Sequence, residues 1–243
     1  MILIPRMNTM SLLRYLADAL FPSHCHLCQS HLSHDKGICQ FCLSDFPFIS
    51  LEQPNLLFQP DIARLFNLPH CHGLMACAWY QGDLKRWLSE FKFTKQSHYQ
   101  TAINAVIATQ LAHFKSTSTF SPDIYIILPL HKNRFIYRGF NQVAQTWLSH
   151  LPHTKVSTNT LIRINATKAQ SDLNLKQRKQ NVKRAFEVKQ NLQGKKVAII
   201  DDVITTGSTI NAAAKACYTA GAEEIWAYAT ALTPLHSQSV TKK

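Results

Sequence analysis

Hydrophobic positions along this chain alternate between two kinds of pattern. Short apolar runs at Leu74 to Tyr80, Ile124 to Leu128, Val197 to Ile200 and Ile225 to Ala231 have the length of buried strands. Between them, Leu84, Trp87, Leu88 and Phe91 recur at helical spacing, as do Ala102, Ile103, Val106, Ile107 and Leu111. A helix is expected through Val143, Ala144 and Trp147, and a short strand over Leu161 to Ile164. Thr209 to Ala220 is an alanine-rich helix that ends at Gly221, where a left-handed residue is expected. Apolar strands alternating with helices predict a parallel sheet covered on both faces. Residues 50–75 contain three prolines and no clear period, so they read as a connecting segment. The opening MILIPRMNTMSLLRYLADALF is mildly amphipathic and lacks the charged, apolar and cleavage regions of a signal peptide. It is expected to be a short packed helix, with contact to a membrane surface as the alternative.

Length and composition narrow this picture. With 243 residues there is room for one α/β domain of ordinary size and a small appendage. No run of eighteen apolar residues occurs, which excludes a helical membrane span. The net charge of +12 is uneven: residues 121–243 hold seventeen Lys and Arg against seven Asp and Glu. From Arg163 to Lys196 there are ten basic residues, opposed only by Asp172 and Glu187. Such a surface suits phosphate groups on a small ligand or on nucleic acid, and a solvated loop-helix face is the plainer alternative.

The most informative stretch is VAIIDDVITTGST, residues 197–209. A buried strand delivers Asp201 and Asp202 at its carboxyl end, where open parallel sheets bind ligands. Thr205, Thr206, Gly207, Ser208 and Thr209 then lead directly into a helix. Backbone N–H groups at a helix start, joined by hydroxyls, cradle an anion, and glycine lets the backbone come close to it. Two adjacent carboxylates would repel that anion, so ribose hydroxyls or an intervening Mg²⁺ are their natural partners. A Ser or Thr helix cap with two surface aspartates is the alternative reading. A Walker loop is excluded because no Gly-Lys-Ser/Thr follows. The segment closely resembles the phosphoribosyltransferase signature. By that resemblance Asp201 and Asp202 contact the ribose hydroxyls, and Thr205 to Thr209 hold the 5′-phosphate.

Two further stretches are basic. Pro129 to Arg134 and Tyr137 to Gln142 follow a strand, and Lys132, Arg134 and Arg138 suit a pyrophosphate, with an ordinary basic loop as the alternative. Gln170, Arg178 and Asn181 lie in a polar stretch of the kind that forms a mobile lid, or else an exposed basic helix. In order and spacing, PLH-x2-R-x3-RGFNQ, Q-x2-L-x4-R-x2-N-x3-AF and VAIIDDVITTGST resemble the ComF family, also known through GntX-like proteins. Tyr80-x-Gly82-x-Leu84 with Lys92-Phe93 also fits that family's pattern. The resemblance implies an N-terminal zinc module joined to a type I phosphoribosyltransferase-like parallel sheet flanked by helices. It also implies a role in natural transformation, with phosphoribosyl pyrophosphate as ligand, and single-stranded DNA and other DNA-uptake proteins as partners. A cytoplasmic location follows, with the inner face of the membrane as a variant of it. A metabolic phosphoribosyltransferase of nucleobase or nucleotide salvage is the alternative, and in either case no residue stands out as reader of an acceptor.

Cys25-x2-Cys28 and Cys39-x2-Cys42 offer four thiolates to one structural Zn²⁺ in a zinc-ribbon-like module. Redox chemistry is the alternative for a CxxC pair, and a second pair nearby argues against it. His24 or His26 would be the substitute ligand if a thiolate were replaced. The family often carries further CxxC pairs, but here only Cys71 follows, between His70 and His72, so a second metal site is not expected. Cys77 and Cys217 read as core residues. The expected division is a zinc-binding unit over 1–50, a connecting segment over 51–75 and the phosphoribosyltransferase-like domain over 76–236.

Overall fold

The apolar runs meet in one sheet. The computed structural model describes residues 23–32, 37–93, 98–130, 136, 138–164 and 185–234. It opens with a short antiparallel ribbon, β1 (Ser23–His24) and β2 (His31–Leu32), and the short helix α1 (Gln40–Ser44). The connecting segment is more ordered than its composition suggests, with a 3-10 turn at Leu56–Phe58 and α2 (Pro60–Leu65). Asn55 explains the turn: its Oδ1 accepts from Leu57 N and Leu74 N, and its Nδ2 donates to the His72 carbonyl. Pro60 begins α2, where a missing N–H costs nothing.

Next come β3 (Gly73–Trp79), α3 (Gly82–Phe93), α4 (His98–Thr117), β4 (Ile124–Ile127), α5 (Gln142–Trp147) and β5 (Val156–Ser157). A second ribbon pairs β6 (Leu161–Arg163) with β7 (Phe186–Val188) in antiparallel fashion. The chain returns to the sheet with β8 (Lys196–Ile204), α6 (Ser208–Thr219) and β9 (Glu224–Leu232). The five-stranded sheet has the order β3-β9-β8-β4-β5, and every pairing in it is parallel.

All four expected sheet strands are present. The fifth, β5, has only two residues and left no apolar signature. The strand expected over Leu161 to Ile164 forms, but it belongs to the separate ribbon. Strand β8 runs past Ile200 through both aspartates to Ile204, because Asp201 pairs with Ala229 and Val203 with Ala231 on β9. Gly221 takes φ +93 just beyond α6 and donates to the Tyr218 carbonyl, as its position after the alanine run predicts.

The core lies on both faces of the sheet. Val197 to Ile200 and Ala227 are fully buried, as are Trp87, Trp147, Val106 and Ala213 from the covering helices. Trp147 Nε1 donates to the buried Thr230 hydroxyl at 3.0 Å, so a polar pair is satisfied within the apolar layer. The cysteine-rich unit packs onto the same core. Phe46 stacks on Trp87, Ile49 N donates to the Cys77 carbonyl, and Gln110 Nε2 donates to the Ile49 carbonyl at 2.7 Å. Among the described residues, no helix is long and apolar enough to cross a membrane.

Candidate functional site at the carboxyl end of the sheet

Strand order locates the site. From β4 the chain moves outward to β5, and from β8 it moves the other way to β9. The reversal falls between β4 and β8, and at such a point the loops diverge and leave a crevice. Ile127 is in register with Ile200, so Leu128-Pro129 leaves the sheet beside Asp201-Asp202, which continue along β9. The two stretches singled out in the sequence therefore share one end of the molecule, although sixty residues separate Gln142 from Asp202.

The two acids are not equivalent. Asp202 is buried, with 7% of its surface exposed, and three donors hold it. Val203 N donates to its Oδ1 at 2.7 Å, while Gln142 Nε2 donates to Oδ2 at 2.8 Å and Lys92 Nζ closes an ion pair on the same oxygen. Asp201 Oδ1 accepts the neighbouring Asp202 N–H at 2.8 Å. Burial and the Asp202 charge push the Asp201 carboxyl well above the ordinary carboxylate range. Burial also pushes Asp202 upward, but the Lys92 ammonium and the Gln142 amide outweigh it and hold Asp202 below that range. The two carboxyls are thus shifted in opposite directions, Asp201 up and Asp202 down.

Gly207 is the N-cap of α6 and adopts φ +75, a left-handed conformation. No side chain caps this helix, so neither Ser208 nor Thr209 serves the capping role that was the alternative reading. The Thr206 hydroxyl donates to Ser208 Oγ at 3.1 Å, and Ser208 N leans on Thr206 Oγ1 at 3.4 Å. Thr205, Thr206 and Ser208 are exposed and Thr209 is half-buried. The connecting segment supports this loop from behind: Leu68 packs on Gly207, and His70 N donates to Asn211 Oδ1 on α6.

On the β4 side, Asn141 has a structural job. Its Oδ1 accepts from Val143 N and Ala144 N as the α5 cap, and its Nδ2 donates to the Leu128 carbonyl. Arg138 is buried and donates through NH1 to Gln142 Oε1 at 2.8 Å, which joins it to Asp202 through one amide. Lys132 and Arg134, and the lid residues Gln170, Arg178 and Asn181, lie outside the described residues, as does the N-terminal amphipathic segment. Lys92 and Gln142 are site residues that the chemistry of the sequence did not single out. Their only signal was membership in the K-F and RGFNQ stretches.

The cysteines form the second centre. Sγ atoms of Cys25, Cys28, Cys39 and Cys42 all lie within 4.8 Å of one another, and Cys28 Sγ is 3.7 Å from Cys39 Sγ. Thiolates around one tetrahedral Zn²⁺ at about 2.3 Å stand roughly 3.8 Å apart, so the quartet fits this ion. Backbone N–H groups point at the sulfurs, Cys39 N to Cys25 Sγ and Cys42 N to Cys39 Sγ, each at 3.4 Å. The Ser30 hydroxyl holds the Cys28 thiol down, to about 6, whereas burial and the surrounding sulfurs push Cys42 up. Four sulfurs gathered at this spacing suit one soft tetrahedral cation, whose binding would deprotonate them. His24 packs edge-on to His31, and His26 turns its Nε2 to the His98 carbonyl, so the gathered ligands are the four cysteines. Cys71 belongs to no such group among the described residues, and burial pushes the Cys71 and Cys217 thiols up to about 12.

Sheet and site define a phosphoribosyltransferase fold carrying a zinc-ribbon module. Residues 141–241 match the family model of the phosphoribosyl transferase domain, and residues 16–54 match that of the double zinc ribbon domain. The chain is 30% identical over 190 residues to the DNA utilization protein YhgH of Escherichia coli, covering 76% of this chain and 80% of the relative. The YhgH of Salmonella typhimurium is 32% identical over 203 residues, covering 78% and 88%. Competence protein F of Haemophilus influenzae is 29% identical over 229 residues, covering 87% and 98%. The chain belongs to the ComF family, which contains these relatives. Among solved structures, the allosteric regulatory enzyme of purine biosynthesis aligns with 58% of this chain and 29% of its own length, at 18% identity and a TM-score of 0.37.

Proposed function

We propose that the crevice between β4 and β8 binds phosphoribosyl pyrophosphate or a related ribose phosphate, and that the protein acts in the uptake or use of DNA. The observation that carries the ligand assignment is the pairing, at the reversal of strand order, of a buried Asp202 held by Lys92 and a half-buried Asp201 with a left-handed Gly207 that opens a helix. Hydroxyls of a ribose suit the acids, and the 5′-phosphate suits the backbone and hydroxyls of Thr205 to Thr209. Lys132, Arg134 and Arg138 are assigned to the pyrophosphate, and Gln170, Arg178 and Asn181 to a lid over it. Mg²⁺ would enter with the pyrophosphate, held by its oxygens and by retained waters. A zinc unit over residues 1–50, a connector over 51–75 and a ligand-binding domain over 76–236 are part of the same reading. The cellular role is supported by the printed names of the relatives, a DNA utilization protein and a competence protein.

Titration calorimetry with Mg²⁺ and phosphoribosyl pyrophosphate tests the ligand. Wild type is expected to bind, and Asp201→Asn/Asp202→Asn to lose at least about tenfold in affinity, one charge-assisted hydrogen bond's worth. Absence of heat with wild type, or unchanged heat in the double variant, sinks the assignment. Normal DNA uptake and use in a deletion strain would overturn the cellular role and favour nucleobase or nucleotide salvage.

A further inference from the structure

A carboxylate offers about four lone-pair positions to donors. On Asp202, three are filled by Val203 N, Gln142 Nε2 and Lys92 Nζ, which fixes the plane of the carboxylate. Lys92 comes from the last turn of α3, outside every loop that forms the crevice. Its ammonium and the carboxylate are both largely buried, with side-chain exposures of 14% and 10%. A buried ion pair is a poor device for stability alone, since well-packed apolar residues of similar size usually do as well. Beside a second carboxyl, however, a fixed cation has a definite consequence. It decides which member of the pair stays ionised, and it offsets the charge that would repel an incoming phosphate.

We propose that Lys92 is a positioning residue of the ligand site, which pins the Asp202 carboxylate in a fixed orientation beside Asp201 at the end of the site assigned to a ribose. Gln142 completes the device. Its amide nitrogen serves Asp202 and its amide oxygen receives Arg138, so a basic residue of the β4 loop and an acid of β8 share one side chain. Movement of Arg138 onto a pyrophosphate would be felt at Asp202 through that amide. The inference rests on the ribose-phosphate assignment of residues 201–209.

The test uses the full-length zinc-loaded protein with Mg²⁺ and phosphoribosyl pyrophosphate as probe, over a range of pH. Lys92→Gln is expected to weaken binding by about tenfold to a hundredfold at neutral pH, the range for a hydrogen bond to a charged group. Its affinity should also fall with decreasing pH at a higher pH than in wild type, because Asp202 then takes up a proton more readily. Lys92→Arg is expected to restore most of both properties. A residue that only braced the fold would lower the melting temperature and leave the pH profile of binding in place. Equal or tighter binding by folded Lys92→Gln, with an unshifted profile, overturns the proposal while leaving the ligand assignment intact. Failure of wild type to bind removes that assignment, and this proposal falls with it. Should Lys92→Gln not fold, Gln142→Leu replaces it: the same direction of change in affinity and profile is expected, and unchanged values overturn the coupling.

Discussion

Leu68 lies directly behind Gly207, so close that a Cβ at position 207 would stand 2.6 Å from Leu68 Cδ2. The connecting segment thereby sets the backbone of the phosphate loop, with the left-handed φ of +75 as a second constraint. Gly207→Ala must accept the strained backbone and displace a buried leucine. Denaturant unfolding is expected to show a loss of about 2–4 kcal/mol, from the left-handed penalty and the overpacking together. Leu68→Ala in the Gly207→Ala background should recover the steric part only. If Gly207→Ala keeps full stability, the close contact does not govern the loop.

The acid pair predicts opposite effects for two isosteric changes. Asp202 has its pKa depressed by folding, so it adds stability above the ordinary carboxylate value of about 3.9, and that stability is lost as pH falls through its folded value. Asp202→Asn leaves Lys92 buried without its counter-charge and should cost about 3 kcal/mol or more at neutral pH. Asp201 has its pKa raised, so the folded state loses stability as pH climbs from about 3.9 to the folded value. Asp201→Asn should therefore match wild type in acid and exceed it in stability at neutral pH. Melting temperatures of both variants between pH 4 and 8 check the prediction, and parallel curves for the two would refute the asymmetry.

Zinc removal should act locally. Residues 46–51 are pinned through Phe46 on Trp87 of α3 and Ile49 on Cys77 of β3, whereas the four sulfurs link Cys25 and Cys28 to Cys39 and Cys42, beside the buried Leu32 and Ile38. Metal analysis should find about one Zn²⁺ per chain, falling to near zero in Cys39→Ser. Limited proteolysis after chelation should cut between Cys25 and Asp45 and spare the rest of the described core. Protection of that segment in metal-free protein would contradict the assignment.

Asn141 separates two functions of one motif. Asn141→Ala removes the α5 cap and the bond to the Leu128 carbonyl, with an expected loss of about 1–2 kcal/mol. Asn141→Asp keeps an acceptor for Val143 N and Ala144 N but no donor to Leu128, so thermal unfolding should rank it between wild type and Asn141→Ala. A variant order with Asp below Ala would show that the cap is not the larger contribution.

By itself, the sequence determined those parts whose chemistry is local. Residues 197–209 are legible because strand end, acids, glycine and helix start follow one another, and hydrogen bonding along the chain fixes their relation. The cysteine quartet is legible because two CxxC turns already dictate which atoms meet a metal. The tertiary structure decided everything that depends on pairing distant segments. Only the strand order shows that β4 and β8 flank the reversal, since an apolar run carries no label for its neighbour. Val156-Ser157 joins the sheet by register alone, being too short to show a period. Lys92 looks like any lysine on a helix until the folded chain brings its ammonium to Asp202. The folded environment also shifts two identical, adjacent aspartates in opposite directions, because burial and a fixed cation act through space and not along the chain.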